Sequence, residues 1–179
     1  MRGGTIDLTT SGTTYYTGMV GRRNVLDLPY MFASAEQAYK VLDGPIGRGL
    51  LDELEGNGMK GLAYWEVGFR SLTNSKHPVR TPDDVKGLKV RTTPNPAHIK
   101  AFQLMGASPT PMPLAEVFGA LEAKAVDGQE NPVNIVRNNK FYEVQKYMSL
   151  TRHAYTAMPV VMNKKKFDGL KPEQQKALI

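Results

Sequence analysis

The chain has 179 residues, enough for one ordinary domain or two small lobes with a buried core. Hydrophobic residues make up 41% and charged residues 22%, which excludes a disordered chain, and the absence of cysteine excludes disulfide scaffolds, thiol nucleophiles and zinc–cysteine sites. The formal charge of +6 suits nucleic acid, an anionic membrane surface or a small anionic ligand, but the only dense basic block, Lys164-Lys165-Lys166, has no aromatic-rich basic stripe beside it and reads as solvated surface.

Met1-Arg2-Gly3-Gly4 carries no export signal and runs into Thr5-Ile6-Asp7-Leu8, a strand-like segment, followed by a polar loop from Thr9 to Tyr16. Ser34 precedes Ala35, Ala38, Tyr39 and Leu42, the apolar face of a helix, and Gln37 stands where a capping box needs it. Asp43-Gly44-Pro45 ends that helix and starts another carrying Ile46, Leu50, Leu51 and Leu54, with Gly56 and Gly58 as its stop. Gly61-Leu62-Ala63-Tyr64-Trp65 predicts a strand covered on both faces.

Thr81-Pro82-Asp83-Asp84 predicts a helix start, Leu88 to Thr93 a strand with Val90 and Arg91 on opposite faces, and Pro96 to Met105 a helix stopped by Gly106. The three prolines of Ser108 to Pro113 confine it to an edge strand or a crossing segment. Leu114, Val117, Phe118 and Leu121 repeat the helical spacing, and Asn131-Pro132 reads as a helix cap and first turn. Two strands follow, Tyr142 to Ser149 and Tyr155 to Met162, interrupted near Thr151-Arg152-His153. The longest apolar run, Ala157 to Met162, is too short to span a bilayer. Pro172 to Ile179 begins a helix cut off early, so the chain reads as an internal piece of a longer one. Strands alternating with helices predict an α/β fold with a largely parallel sheet.

The obvious motifs fail. Gly56-Asn57-Gly58-Met59-Lys60-Gly61 spells the dinucleotide fingerprint, yet a helix precedes it and a strand follows, the reverse of what a pyrophosphate needs. His77, His98 and His153 are scattered, without zinc-helix spacing. Asp83 and Asp84 suit a helix first turn, and Asp127 and Glu130 flank a turn. No catalytic residue, metal or cofactor is expected. What remains is Arg91 on its strand, Arg70 after the strand that ends at Trp65, and Asn131 beside a helix start. Each also has an ordinary reading: a structural ion pair for Arg91, exposure for Arg70 and a cap for Asn131.

Five blocks then occur in order: Gly87-Leu88-Lys89-Val90-Arg91, Gly106 to Pro113, Glu116 to Leu121, Val126-Asp127-Gly128-Gln129-Glu130-Asn131-Pro132, and Lys140 to Tyr147. With Leu28 to Phe32 and Gly61 to Arg70 they closely resemble the DctP family, the substrate-binding proteins of TRAP (tripartite ATP-independent periplasmic) transporters. The resemblance implies a two-lobed α/β periplasmic binding protein fold of type II-like topology, incomplete here at both ends, with lobe I over residues 1–67, lobe II over 68–156 and a return to lobe I over 157–179. It implies a periplasmic protein that closes on a small organic acid and delivers it to TRAP membrane subunits. It also implies that Arg91 forms the main ion pair with the ligand carboxylate, that Arg70 and Asn131 complete the site, and that Leu114 lines the pocket where the family often has phenylalanine.

Closure requires contacts from both lobes. Ser11 and Thr13 in the loop after the first strand, and Trp65, are the candidates in lobe I; an ordinary loop and a core tryptophan are the alternatives. An enzyme on the same lobed scaffold, acting on a carboxylate substrate, and a nucleic-acid-binding module are the competing functions.

Overall fold

The computed structural model describes residues 4–16 and 18–179; Met1, Arg2 and Gly3 of the opening segment lie outside them. Local chemistry sets most element starts. Strand β1, Leu8–Thr10, begins later than the apolar residues suggested, because its register is set by antiparallel pairing with Met162 to Val160. Helix α1, Ala35–Leu42, is capped by Ser34 Oγ, which accepts from the Gln37 amide at 3.2 Å. The return bond of the expected box goes one residue further back, from the Ala33 amide to Gln37 Oε1. Helix α2, Pro45–Asp52, starts on proline, and a short turn over Glu55–Asn57 leads into β2. Gly56 and Gly58 therefore follow a helix and precede a strand, as anticipated, and Gly61 lies within that strand.

Strand β2, Met59–Asn74, is one sixteen-residue strand instead of the five expected. Nor is it covered on both faces at its centre, since Trp65 is 57% exposed. Thr81 opens a short turn, Pro82–Val85, where Asp84 Oδ2 accepts from the Thr81 amide at 2.8 Å and the Asp84 amide donates back to the Thr81 carbonyl. Strand β3 is Lys89–Thr92 and helix α3 Pro96–Leu104. Gly106, at φ +81, then makes the left-handed turn that a side chain would strain and leads into β4, Ser108–Pro111. Helix α4, Val117–Glu122, precedes β5, Gly128–Pro132, and α5, Val133–Asn138. Strand β6, Tyr147–Asn163, is continuous where two strands were expected. The foreseen interruption survives as a left-handed residue within it, Arg152 at φ 46. Helices α6, Lys164–Asp168, and α7, Pro172–Leu178, end the chain.

The hydrogen-bonded strand order is β1-β6-β2-β5-β3-β4, which puts the proline-rich β4 at an edge, as its missing donors require. β3 runs parallel to β4 and β5, whereas β2–β5 and β1–β6 are antiparallel. The sheet is therefore mixed, not largely parallel. Helical crossovers join β3, β4 and β5, but β2 reaches β3 through coil and one short turn, so that connection is free of the crossover rule.

The chain divides into two compact units: unit 1 is Met1–Asn24, Phe32–Glu66 and Ala157–Ile179, and unit 2 is Val25–Met31 and Val67–Thr156. Unit 1 is built on Tyr16, Val20, Leu51, Leu54, Met59 and Val161, with a second cluster of Leu62, Val160 and Phe167. In unit 2, Leu72, Val85, Leu88, Val90 and Phe102 pack on one cluster and Val117, Leu121, Val136 and Phe141 on another. The segment Val25–Met31 is tied into unit 2 by Asn95 Nδ2 donating to Asp27 Oδ2 at 3.0 Å and by the Tyr30 amide donating to the His153 carbonyl at 2.8 Å.

Candidate functional site

Arg91 is fully buried on β3. A guanidinium there must have its donors satisfied, and its Nε and Nη2 both donate to the carbonyl of Met112, at 3.0 and 2.5 Å. That carbonyl lies one residue beyond β4, whose parallel register places Arg91 opposite Thr110 and Thr92 opposite Pro111. Leu114, two residues further on, is half-buried and packs against the Val117–Phe141 cluster.

Arg70 is also buried, which corrects the exposed alternative. Its Nε and Nη2 grip the two carboxylate oxygens of Glu130, Nη2 at 2.8 Å from Oε1, in the paired geometry that fits a carboxylate best. Nη2 also donates to the Glu130 carbonyl at 2.7 Å and to Asn131 Oδ1 at 3.2 Å, and Nη1 to Thr156 Oγ1 at 3.1 Å. Much of the Arg70 fork is therefore taken up by an internal acid.

Asn131 lies within β5, opposite Ser71 of β2, and Pro132 caps α5 in its place. The expected helix cap is thus a strand residue whose side chain serves a polar chain instead. Asn131 Nδ2 donates to Gln129 Oε1 at 2.6 Å, Gln129 Nε2 to Thr73 Oγ1 at 2.9 Å, and Thr73 Oγ1 to Gln145 Oε1 at 2.9 Å. Gln129 also faces Arg91 across the β3–β5 ladder. Arg70, Asn131 and Arg91 thus stand on three neighbouring strands of unit 2, the first two in direct contact.

Glu130 was read as flanking a turn; it is a fully buried strand residue. Burial pushes its carboxyl up, but the Arg70 charge and the bond from His153 outweigh this and hold it well below the usual carboxylate range. His153 Nε2 lies 3.2 Å from Glu130 Oε2, and its Nδ1 lies 2.8 Å from Thr151 Oγ1. His98, buried on α3 with Nδ1 3.2 Å from Thr93 Oγ1, is pushed down to about 4, chiefly by burial. The Glu130–His153 part of this network escaped sequence reasoning. The available signal was only that a buried guanidinium needs acceptors, and Glu130 is the one acid in Gln129-Glu130-Asn131-Pro132.

The remaining candidates belong to unit 1. Ser11 is half-buried in the loop after β1, and Thr13 is buried at the start of a short turn over Thr13–Tyr15. Trp65 is an exposed strand residue, which removes the core alternative. Within unit 2 a cavity of about 280 Å³ is lined by Tyr30, Val79, Arg80, Phe102, Leu150 and His153 among others, and by none of the predicted site residues. Among the described residues no cluster of acids and histidines is arranged to hold a metal, and no helix is long and apolar enough to cross a membrane.

Comparison with known proteins decides the family. The sequence model for DctP, bacterial extracellular solute-binding protein, family 7, matches residues 1–179. The chain belongs to the DctP family. The 2,3-diketo-L-gulonate-binding periplasmic protein YiaO of Escherichia coli strain K12 is 52% identical over 179 residues, all of this chain and 55% of that protein. The crystal structure of a TRAP periplasmic solute-binding protein from Polaromonas, bound to D-erythronate, superposes with a TM-score of 0.96 at 40% identity, over 99% of this chain and 58% of that one. The sugar acid binding protein DctPAm of Advenella mimigardefordensis, in complex with galactonate, gives a TM-score of 0.95 at 41% identity, over 99% and 57%. The chain thus spans a little over half the length of these relatives. These three relatives are named for binding small organic acids, not for catalysis, and the enzyme alternative has no support among them.

Proposed function

We propose that this chain forms the ligand-reading part of a TRAP-type periplasmic solute-binding protein that captures a small organic acid by its carboxylate and hands it to the transporter's membrane subunits. The observation that carries the reading is Arg91, a fully buried guanidinium with one side of its fork held by the Met112 carbonyl. A held, permanently charged fork grips a carboxylate through two parallel charge-assisted bonds, and burial excludes the water that weakens such pairs at a surface.

In this reading Asn131 adds its amide and Leu114 bounds the ligand's carbon chain. Arg70 acts mainly by ordering Asn131, because Glu130 already occupies much of its fork and balances its charge. The two units are the lobes, with crossings near 67–68 and 156–157, and Ser11, Thr13 and Trp65 are the contacts through which lobe I joins in closure. The ligand is read as a hydroxylated monocarboxylate, by analogy with the diketogulonate, erythronate and galactonate of the relatives.

Calorimetric titration of the purified protein with D-erythronate, galactonate, 2,3-diketo-L-gulonate and succinate tests both parts. The hydroxylated acids should bind at micromolar Kd or tighter and succinate more weakly. Arg91→Lys and Arg91→Ala should each lose about 2–5 kcal/mol, the cost of truncating one partner of a buried charge pair, which raises Kd roughly 30-fold or more. Wild-type affinity in an Arg91 variant refutes the carboxylate role.

A further inference from the structure

We infer that Pro113 is a positioning residue for Arg91: it fixes the direction of the Met112 carbonyl and thereby the orientation of the guanidinium offered to the ligand. The inference rests on the carboxylate role proposed for Arg91 and adds to it the device that aims the fork.

Two donors of Arg91, Nε and Nη2, converge on a single acceptor, the Met112 oxygen. Such a bite fixes the plane of the guanidinium as well as its position, so the fork can be no better aimed than that carbonyl is. A backbone carbonyl turns with the ψ of its own residue, and here Met112 precedes Pro113. A residue before proline is pushed out of the helical region into extended backbone, at ψ near +120 to +160°. Pro113 restricts the one torsion that would swing the Met112 oxygen away from Arg91.

The surroundings agree. Pro111, on the other side, has its own φ locked and sits opposite Thr92 in the β3–β4 ladder. The Met112 amide donates to the Thr92 carbonyl at 3.3 Å, which ties this segment to the residue next to Arg91. Pro113 is itself exposed, so packing does not account for it. Its extended backbone, φ −56 and ψ 150, leads directly into the turn carrying Leu114. One segment therefore holds the arginine by its carbonyl and presents Leu114 two residues later.

The test is a double-mutant cycle on the purified protein, read by titration with galactonate, or with whichever of the four acids binds tightest. Pro113→Ala should raise Kd about two- to five-fold, the scale of one lost backbone restriction. In an Arg91→Lys background, where the bidentate bite is gone, the same change should move Kd by less than about two-fold, because its effect runs through the guanidinium. Adding Met112→Ile, whose β-branch also favours extended backbone, to Pro113→Ala should recover affinity, including where the single change loosens the turn. Equal losses in both backgrounds, or no loss from Pro113→Ala while Arg91→Lys weakens binding, overturn the positioning role and leave the carboxylate reading intact. If Arg91→Lys itself leaves Kd unchanged, the carboxylate reading falls and this inference with it.

Discussion

Arg70 and Glu130 are a buried ion pair, and the energetics of such pairs separate stability from function. Removing both charges from water is costly, and the pair recovers that cost only through its geometry and its extra bonds, here to His153, Asn131 and Thr156. Breaking it from one side leaves an uncompensated buried charge. Glu130→Gln should therefore destabilise the protein by about 3–5 kcal/mol, read as a lower urea midpoint. The double replacement Arg70→Met, Glu130→Leu should recover part of that stability, since it removes both buried charges while leaving Asn131, Thr156 and His153 without that partner. It should not recover ligand affinity, because Arg70 Nη2 no longer orders Asn131. Recovery of both would show that the pair only fills space.

At the scale of elements, β5 carries most of the polar network around the candidate site. Its five residues are all buried, and three of them, Gln129, Glu130 and Asn131, carry the polar network. Gly128 opens the strand because a side chain does not fit: a Cβ there would stand 2.2 Å from the Thr73 carbonyl oxygen on β2. Gly128→Ala should push β5 from β2 and cost stability at the upper end of the range of about 1–3 kcal/mol for overpacking, since backbone cannot rotate aside as a side chain can. The same variant should weaken ligand binding, as Gln129 and Asn131 shift with the strand; a wild-type urea midpoint and Kd would contradict this account of the ladder. β5 is also where the sequence was least legible. Gly128-Gln129-Glu130-Asn131-Pro132 lacks the alternating apolar residues by which a strand is recognised, because its polar side chains are buried by bonding to each other. Asn131-Pro132 carries a helix-start signature that is displaced by one residue. Caps and stops set by one or two side chains were legible: Ser34, Thr81 with Asp84, Gly106 and the prolines of β4 all act as their chemistry dictates. The length of β2 was not, since its exposure pattern changes near Trp65 while the strand continues. Of the proposed site, Arg91, Arg70 and Asn131 stand out in the sequence as motif residues, but the partners that hold them, the Met112 carbonyl and the Glu130 carboxylate, depend on strand neighbours far away in sequence.

At the scale of the molecule, each of the two units has its own apolar clusters, and β2 and β6 each run from one unit into the other. A ligand can favour closure of two lobes only by contacting both, since affinity for one lobe alone is the same whether the pair is open or closed. Hydrogen exchange with and without galactonate, or whichever acid binds tightest, separates these cases. If the ligand bridges the lobes, amides of β3 and β5 in unit 2 and those of the Ser11–Thr13 loop in unit 1 should all slow on binding, because exchange from each then requires release of the same closed state. If it reads unit 2 alone, only the amides around Arg91 and Asn131 should slow. Replacing Ser11 and Thr13 together by alanine should remove the protection of unit 1 and raise Kd, while leaving part of the unit 2 protection, since the carboxylate contact proposed for Arg91 is untouched. Unaltered exchange in the Ser11–Thr13 loop at saturating ligand would show that this loop takes no part in closure, and the lobe I contacts would then have to be sought around Trp65.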